Sequence, residues 1–521
     1  MNSVNSSNRQ RRRIAAIDLG TNSFHAVIVD IFPDGTFSII DALKEMVTLG
    51  RNGLGKTLRP ADMNRGIDAL SKIKTLCDSY RVERILAYAT SAIREALNGG
   101  EFIQRAIDEV QIKILAIPGK TEAELIAYAV QHSLSLVNQR ALIMDIGGGS
   151  TEFIVADHAE HYFLDSQKIG VSRMSADLVS SDPISKKNIQ LLETEYEKAL
   201  KSVDEAVAQF SPSILVGTSG TMQNIASMIA AEKHLDTSVT LNEFEYSSDD
   251  FFAFYSKFIA LNRKKRLLVR GLDDKRVDFI VAGLVLVNTV LKKYRFSTIK
   301  TSTQAMREGI ILRYIKQEMK DLKLLDQYPD TRTRSVFELL RKCNWHEDHS
   351  SQVTRLALNL FDSLQSYHKL SDNDRQLLEF ASLLHDIGYH ISHKKHHKHA
   401  LYLILHADLK GFAQEEIEIM AHTARYHRRS EPKPDHELFM TLTKSQKDRI
   451  KALSGILRVA DGLDRSHYQN VQELQTEVTG DKIEIRIKTL GDAELEIWGA
   501  MRKRELFEKL FKRKLTIRRV N

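Results

Sequence analysis

The sequence predicts an α/β protein with two similar phosphate-binding lobes, followed by an all-helical region and a small α+β end. Three observations carry that reading. A glycine-rich turn occurs twice behind a strand-ending aspartate, as Asp18-Leu-Gly-Thr-Asn-Ser23 and as Asp145-Ile-Gly-Gly-Gly-Ser-Thr151. Each turn follows an apolar run of strand type, residues 14–17 and 141–144. From about Thr331 the runs give way to apolar residues three and four apart, such as Val353, Leu356 and Leu360, or Leu377, Phe380, Leu384 and Ile387. That is the period of packed helices.

Taken in order, residues 1–13 read as a short disordered tail. The first lobe, residues 14–136, runs strand, turn, strand (25–31) and strand (36–40), then alternates helices with strands, residues 85–89 being buried. Such alternation is α/β logic. The second lobe, residues 137–315, repeats the opening pattern at 142–155. Ile214-Leu-Val216 then leads into a third small-residue turn, Gly217-Thr-Ser-Gly-Thr221, that opens a helix, and residues 276–291 read as another. Residues 325–470 form the helical domain. In residues 471–521, two alternating stretches at 482–487 and 495–498, a Lys/Arg-rich helix and a closing strand at 515–520 indicate the α+β domain.

A chain of 521 residues exceeds one ordinary core. Hydrophobic residues at 42% and charged ones at 27% are typical of soluble domains. The two cysteines, Cys77 and Cys343, match no disulfide framework or zinc spacing, so a reducing, cytoplasmic location is expected. The longest apolar stretch, residues 279–287, lies between Asp278 and Asn288. It falls well short of the ~18 residues of a membrane span, and no membrane partner is expected. The formal charge of +7 comes with basic clusters at 263–266, 394–398 and 502–519. These fit either a polyanionic partner or solvated helix faces; nucleic acid is not expected.

The chemistry implied by the turns is phosphate binding. Backbone N–H groups bared after a strand donate to phosphate oxygens, and the carboxylate at the strand end holds Mg2+ (or Mn2+). Asp18 and Asp145 are the expected metal residues. Gly20, Thr21, Asn22 and Ser23 face Gly148, Gly149, Ser150 and Thr151 in this reading, with Gly217, Ser219, Gly220 and Thr221 adding donors. Two lobes thus grip one phosphorylated ligand.

Five segments carry a resemblance: Ala16-Ile-Asp-Leu-Gly-Thr-Asn-Ser-Phe-His25, Ala89-Thr-Ser-Ala-Ile-Arg-Glu95, Gly119-Lys-Thr-Glu-Ala123, Asp145-Ile-Gly-Gly-Gly-Ser-Thr-Glu152 and Gly217-Thr-Ser-Gly-Thr221. In this order they resemble the exopolyphosphatase/guanosine pentaphosphate phosphohydrolase family. The resemblance implies a duplicated actin-like, sugar-kinase-like (RNase H-like) fold and a homodimer. It casts Glu122 and Glu152 as the carboxylates that orient and deprotonate the attacking water, and Arg94 as a phosphate contact. Spacing alone leaves Glu124 open beside Glu122, since the two point about 200° apart on a helix; the family pattern selects Glu122. Arg276 and Arg307 fall on basic motif positions, with Asp278 and Glu308 as alternative ion-pair partners. Departures are Thr21 for the usual serine, and Pro118-Gly119 for Ser-Gly.

A second set, His349, His385-Asp386 and Asp461, resembles the HD metal-dependent phosphohydrolase superfamily. The resemblance implies a divalent transition metal, with His399 and His427 as further ligands for a second one. The same domain in the family also serves as mere structure, and both readings stay open. His390, His393, His396 and His397, with Lys394, Lys395 and Lys398, read as a solvated loop or as a patch guiding polyphosphate.

The expected activity is release of terminal orthophosphate from inorganic polyphosphate, guanosine pentaphosphate or both. The alternatives are an ATP-dependent kinase of the same fold, a polyphosphate or pentaphosphate sensor, and a phosphodiesterase or phosphatase acting at the His-Asp site.

Overall fold

The structure, a computed structural model, describes residues 11–33, 35–50, 54–234, 241–318, 330–343 and 345–520. The chain divides into two compact units, one ending at Thr331 and the other beginning at Arg332. Most of the expected tail, residues 1–10, lies outside the described residues, as do 319–324, between the expected second lobe and helical domain, and 325–329, the expected start of that domain. Arg12 and Arg13, expected in the tail, belong to strand β1 (Arg12–Leu19), and Arg13 is held by Asp30 at 2.6 Å.

Duplication in the first unit is visible in its two sheets. The first has the order β3-β2-β1-β4-β5, built from β1 (Arg12–Leu19), β2 (Ser23–Ile31), β3 (Phe37–Met46), β4 (Arg84–Ala89) and β5 (Ile114–Ala116). The second contains β6 (Ala141–Ile146), β7 (Thr151–Ala156), β8 (His161–Gln167), β9 (Ile214–Thr218), β10 (Glu245–Ser247) and β11 (Thr298–Thr301), in the order β10-β11-β9-β6-β7-β8. In each, the first strand pairs antiparallel with its hairpin partner and parallel with a later strand. The sheets therefore share one topology, with β10 as an addition at the second sheet's edge.

Side-chain alternation sorts each central strand between two cores. In β1, Ala15, Ile17 and Leu19 enter a core private to the first lobe, while Ile14 and Ala16 enter a core that both lobes share. In β6, Leu142, Met144 and Ile146 face the second lobe's own core, and Ala141 and Ile143 the shared one. Burial on both faces explains why these strands read as unbroken apolar runs. The alternation continues upward, so Asp18 and Asp145 both stand on the shared face, at the strand ends.

Helix Gly119–Ser133 closes that face, burying Ala123, Leu125, Ile126, Ala127 and Val130 in the shared core. Helix Ser219–Glu232 springs from β9. Residues 276–291, expected as one helix, are a short 3-10 turn at Asp274–Arg276 and a separate helix, Ile280–Tyr294.

The second unit packs helices Glu347–Ser363, Asp372–Leu384, His396–Leu405, Gln414–Arg425 and Lys444–Gly462. Ser371 with Asp374 and Thr443 with Gln446 form capping boxes that start two of them. A three-stranded sheet follows, β12 (Val471–Thr479), β13 (Lys482–Thr489) and β14 (Lys514–Arg519). Its Leu474, Ile483, Ile485, Ile487 and Leu515 enter the same core as the helices. The expected separation at 470/471 is therefore not a break between compact units. Residues 495–498 are also not a strand: helix Glu494–Met501 covers them, burying Glu496, Gly499 and Ala500.

Candidate active site

The cleft of the first unit has a volume of about 1020 Å³ and gathers most of the expected residues. Asp18, Gly20, Thr21, Asn22, Ser23, Glu122, Asp145, Gly148, Ser150, Ser219, Gly220, Thr221, Arg276 and Arg307 line it. Gly149, Thr151, Gly217, Glu152 and Arg94 do not. Thr151 opens β7 and is fully buried, its hydroxyl donating to Ile169 O at 3.3 Å. Gly217 lies within β9 against Met222.

The turns are held by their own side chains. Thr21 Oγ1 and Ser91 Oγ are 3.1 Å apart, and Asn22 Nδ2 donates to Ser172 Oγ at 2.9 Å, tying the first turn to the second lobe. Ser219 and Thr221 both donate to Ile146 O at 3.0 Å. Their hydroxyl hydrogens are thus committed, which leaves the amides of this turn as phosphate donors. Ser219 sits at φ +70°, a conformation non-glycine residues seldom adopt. Next to it, a side chain at Gly220 would meet Arg276 Nη2 at 1.8 Å, so glycine here gives the guanidinium its seat.

Four carboxylates converge behind the turns. Burial raises Asp18 to about 7, and the charge of Glu122 adds to the effect. Asp145 is likewise raised to about 7 by burial and Glu122. Glu122 and Glu152, 8% and 1% exposed, are raised by burial too, Glu152 well above the usual carboxylate range with Glu122 and Asp145 contributing. Carboxylates that raise one another in this way fit a divalent cation, which removes the repulsion. Asp18 and Asp145 are the pair on the cleft wall that would hold it.

Arg94, expected at phosphate, lies beside Glu122. Its Nη1 donates to Glu122 Oε2 at 2.9 Å and to Ile117 O at 2.8 Å, so the guanidinium supports the carboxylate. Glu152 pairs across the β6–β7 ladder with Asp145 and across β7–β8 with Ser166, whose Oγ donates to it at 2.7 Å. It therefore stands behind the cleft wall. Glu124 is not in the cleft; Tyr128 Oη donates to it at 3.2 Å. Arg276 is 3.9 Å from Asp273 instead of Asp278, which pairs with Arg263. Arg307 lies 3.7 Å from Glu308.

Sequence reasoning missed His25, Lys44 and Lys275, all on the cleft wall. Arg307 Nη1 donates to His25 Nδ1 at 2.9 Å, and the ring's Nε2–H meets Ser23 Oγ at 2.8 Å. Burial and Arg307 lower His25 to about 3, keeping it neutral. Ser23 and His25 alternate on β2, a signal present in the sequence. Lys44 reaches the cleft only because β3 places it opposite His25.

The second unit brings His349, His385, Asp386, His427 and Asp461 together, with His396 in place of His399. Two groups of ligand atoms lie within 4.8 Å of one another, His349–His385–Asp386 and Asp386–His396–His427. His399 lies one helical turn, about 4.5 Å, beyond His396 and is half-buried. His396 and His397 are buried, which corrects the solvated-loop expectation for these two; His390, His393, Lys394, Lys395 and Lys398 are exposed.

Each ring in the cluster is fixed through Nδ1. His349 Nδ1 meets Asp464 at 2.8 Å, His385 meets Ser382 O at 2.6 Å, His427 meets Ala424 O at 2.7 Å and His396 meets His393 O at 3.1 Å. Acceptors on Nδ1 leave Nε2 as the imine nitrogen, the tautomer that binds metals. His349 Nε2, His385 Nε2 and Asp386 Oδ1 are buried without a hydrogen-bond partner. Asp386 is held well below the usual range, despite burial, by His385, His396 and His427.

Known proteins match both units of the chain. The model of the Ppx/GppA phosphatase family matches residues 27–318, and that of domain III of the same phosphatases matches 331–500. A guanosine-5'-triphosphate,3'-diphosphate pyrophosphatase of Photobacterium profundum is 28% identical over 416 residues, 80% of each chain. The crystal structure of an exopolyphosphatase from Cytophaga hutchinsonii is similar at a TM-score of 0.55 and 30% identity, over 60% of this chain and 99% of that one. The Aquifex aeolicus member of the Ppx/GppA family gives 0.51 and 25%, over 59% and 99%. On these matches, the chain belongs to the Ppx/GppA phosphatase family.

Proposed function

We propose that the chain is a phosphohydrolase that releases terminal orthophosphate from inorganic polyphosphate, guanosine pentaphosphate or both, by attack of water in the cleft of its first unit. The observation that carries this is Glu122 on the cleft wall, held by Arg94 and facing two phosphate-binding turns. Amides of the three turns, with Arg276 and Arg307, bind the phosphate chain. Glu122 accepts the proton of the attacking water. Glu152 stands behind it, with Ser166 fixing its orientation. Asp18 and Asp145 would hold Mg2+ or Mn2+, which supplies neutralisation of phosphate charge.

The same reading makes the protein a cytoplasmic homodimer, which its size in solution checks. Among the described residues, no helix is long and apolar enough to cross a membrane. The two cysteines are free and buried.

The test is to supply long-chain polyphosphate, guanosine pentaphosphate or ATP with Mg2+ and follow orthophosphate. Release from either of the first two, lost in Glu122→Gln, is the expected result. Turnover of ATP with neither would favour the kinase alternative and sink the proposal.

A second reading concerns the other unit. The buried, partnerless Nε2 atoms of His349 and His385 beside Asp386 favour a divalent transition metal there. Bound metal measured by elemental analysis, lost in His385→Ala, tests it.

A further inference from the structure

The His-Asp cluster of the second unit has two halves that share one carboxylate. Asp386 Oδ2 lies 3.7 Å from His349 Nε2 and 3.5 Å from His385 Nε2, while Oδ1 lies 3.2 Å from His396 Nε2 and 3.5 Å from His427 Nε2. Asp461 Oδ1 completes the first half, 3.7 Å from His349 Nε2. Such symmetry suggests a site for two metal ions, one per half.

The halves are not equivalent in charge. In the first, the nitrogens facing Asp386 have no donor on them. In the second, Arg428 Nη1 donates to His396 Nε2 at 3.0 Å, so that nitrogen's lone pair is engaged. Lys503 forms an ion pair with Asp461 Oδ2, and its charge also acts on His427. Lys503 comes from the turn between helices Glu494–Met501 and Glu505–Phe511, in the α+β part of this unit. Lys503 and Arg428 thus stand where a second divalent ion would need free ligand atoms.

We infer that the second unit takes one divalent transition metal ion, held by His349, His385, Asp386 and Asp461, and that Lys503 and Arg428 fill the other half as its built-in cations. The inference rests on the metal reading given above. The charge count favours it: Asp386, Asp461 and Asp464, which holds His349 Nδ1, meet Lys503, Arg428 and one divalent ion, whereas a second ion would add two more positive charges with no further carboxylate to meet them. Imidazole and carboxylate donors select a borderline transition metal such as Co2+ or Zn2+ over Mg2+.

The experiment counts metal. Full-length, metal-stripped protein is loaded with Co2+, desalted and assayed by elemental analysis, beside an Asp386→Ala variant treated identically, since Asp386 is shared by both halves. Subtraction removes any Co2+ held in the cleft. The expected difference is one ion per chain. The Lys503→Met/Arg428→Met double variant, which frees His396 and Asp461 Oδ2, is expected to gain a second ion and a higher thermal midpoint with Co2+. Should the double variant fail to fold by circular dichroism, the two single variants are measured, and a second ion in either supports the inference. A difference of zero overturns the metal reading itself. A difference of two in the unaltered protein, or no gain in any folded variant, overturns the role given to Lys503 and Arg428 while leaving metal binding intact.

Discussion

The two lobes of the cleft share a topology and an aspartate, and they differ in what stands across from it. Asp18 is registered with His25, and Asp145 with Glu152. His25 is neutral and holds Arg307 and Ser23, both cleft-wall groups that can reach phosphate. Glu152 is a buried carboxylate whose own proton affinity is raised by burial, Glu122 and Asp145. Duplication thus supplies the scaffold, and under the proposed function the change at one equivalent position would divide the labour between binding phosphate and activating water.

That contrast is sharpest in turnover. Glu122→Gln removes the acceptor for water's proton while keeping its shape, and kcat is expected to fall by roughly 10²–10⁴-fold, the usual span for losing a general base. Glu152→Gln acts through Glu122 and is expected to lower kcat by roughly ten-fold, with KM little changed. Steady-state orthophosphate release measures both. Equal losses would show that Glu152 itself takes the proton.

On the other side the effect belongs in KM. Arg307→Met removes a charge-assisted phosphate contact worth about 1.5–3 kcal/mol, so KM is expected to rise by about ten-fold or more. His25→Gln, which offers Arg307 only a longer and freer acceptor, is expected to give a smaller rise in KM with kcat nearly unchanged. A large drop in kcat for His25→Gln would erase the division between the lobes.

Stability carries the same signature. Asp18 is raised from 3.8 to about 7 in the folded protein. Between those values the folded state binds more protons than the unfolded one, so in metal-free buffer stability falls as pH rises from about 4 to about 7, and the loss is complete above. Asp18→Asn is expected to flatten that slope and to stabilise the stripped protein at pH 8 by at least about 1 kcal/mol. Urea unfolding in EDTA at pH 5 and pH 8 reads it.

Much of this fold was legible in the sequence. The strand–turn–strand repeat at Asp18 and Asp145 located both sheets, because buried strands read as apolar runs bounded by glycine. Parity along 14, 16, 18 and 141, 143, 145 even places both aspartates on one shared face. Pairings between distant strands were not legible. Lys44 joins the cleft through β3 alone, and β12 was missed because its exposed Glu473, Gln475 and Glu477 dilute a strand buried on one side. Residues 495–498 alternate charged and apolar types yet form a helix, since four residues satisfy either period and packing on Gly462 decides. Arg94 matched a phosphate-binding motif, but whether a guanidinium meets phosphate or a neighbouring carboxylate depends on the helix carrying Glu122, which no local pattern fixes.

Arg94 gives the smallest expected effect and the finest test of how the two sides communicate. Burial raises Glu122, and Arg94, by its charge and its hydrogen bond, lowers it again. Glu122 works as a base only when ionised, so the rate falls as pH drops through its ionisation, at a pH above the ordinary carboxylate range. Removing the guanidinium leaves burial unopposed. Arg94→Met is therefore expected to move the acid limb of the kcat profile to higher pH, while KM and the plateau rate above that limb change by less than about three-fold. A phosphate contact would behave differently, raising KM at every pH and leaving the limb in place. Arg94→Lys separates the two further, since lysine keeps the charge beside Glu122 but cannot reach both Glu122 and Ile117 O as the planar fork does; it should restore most of the limb and little of the rigidity.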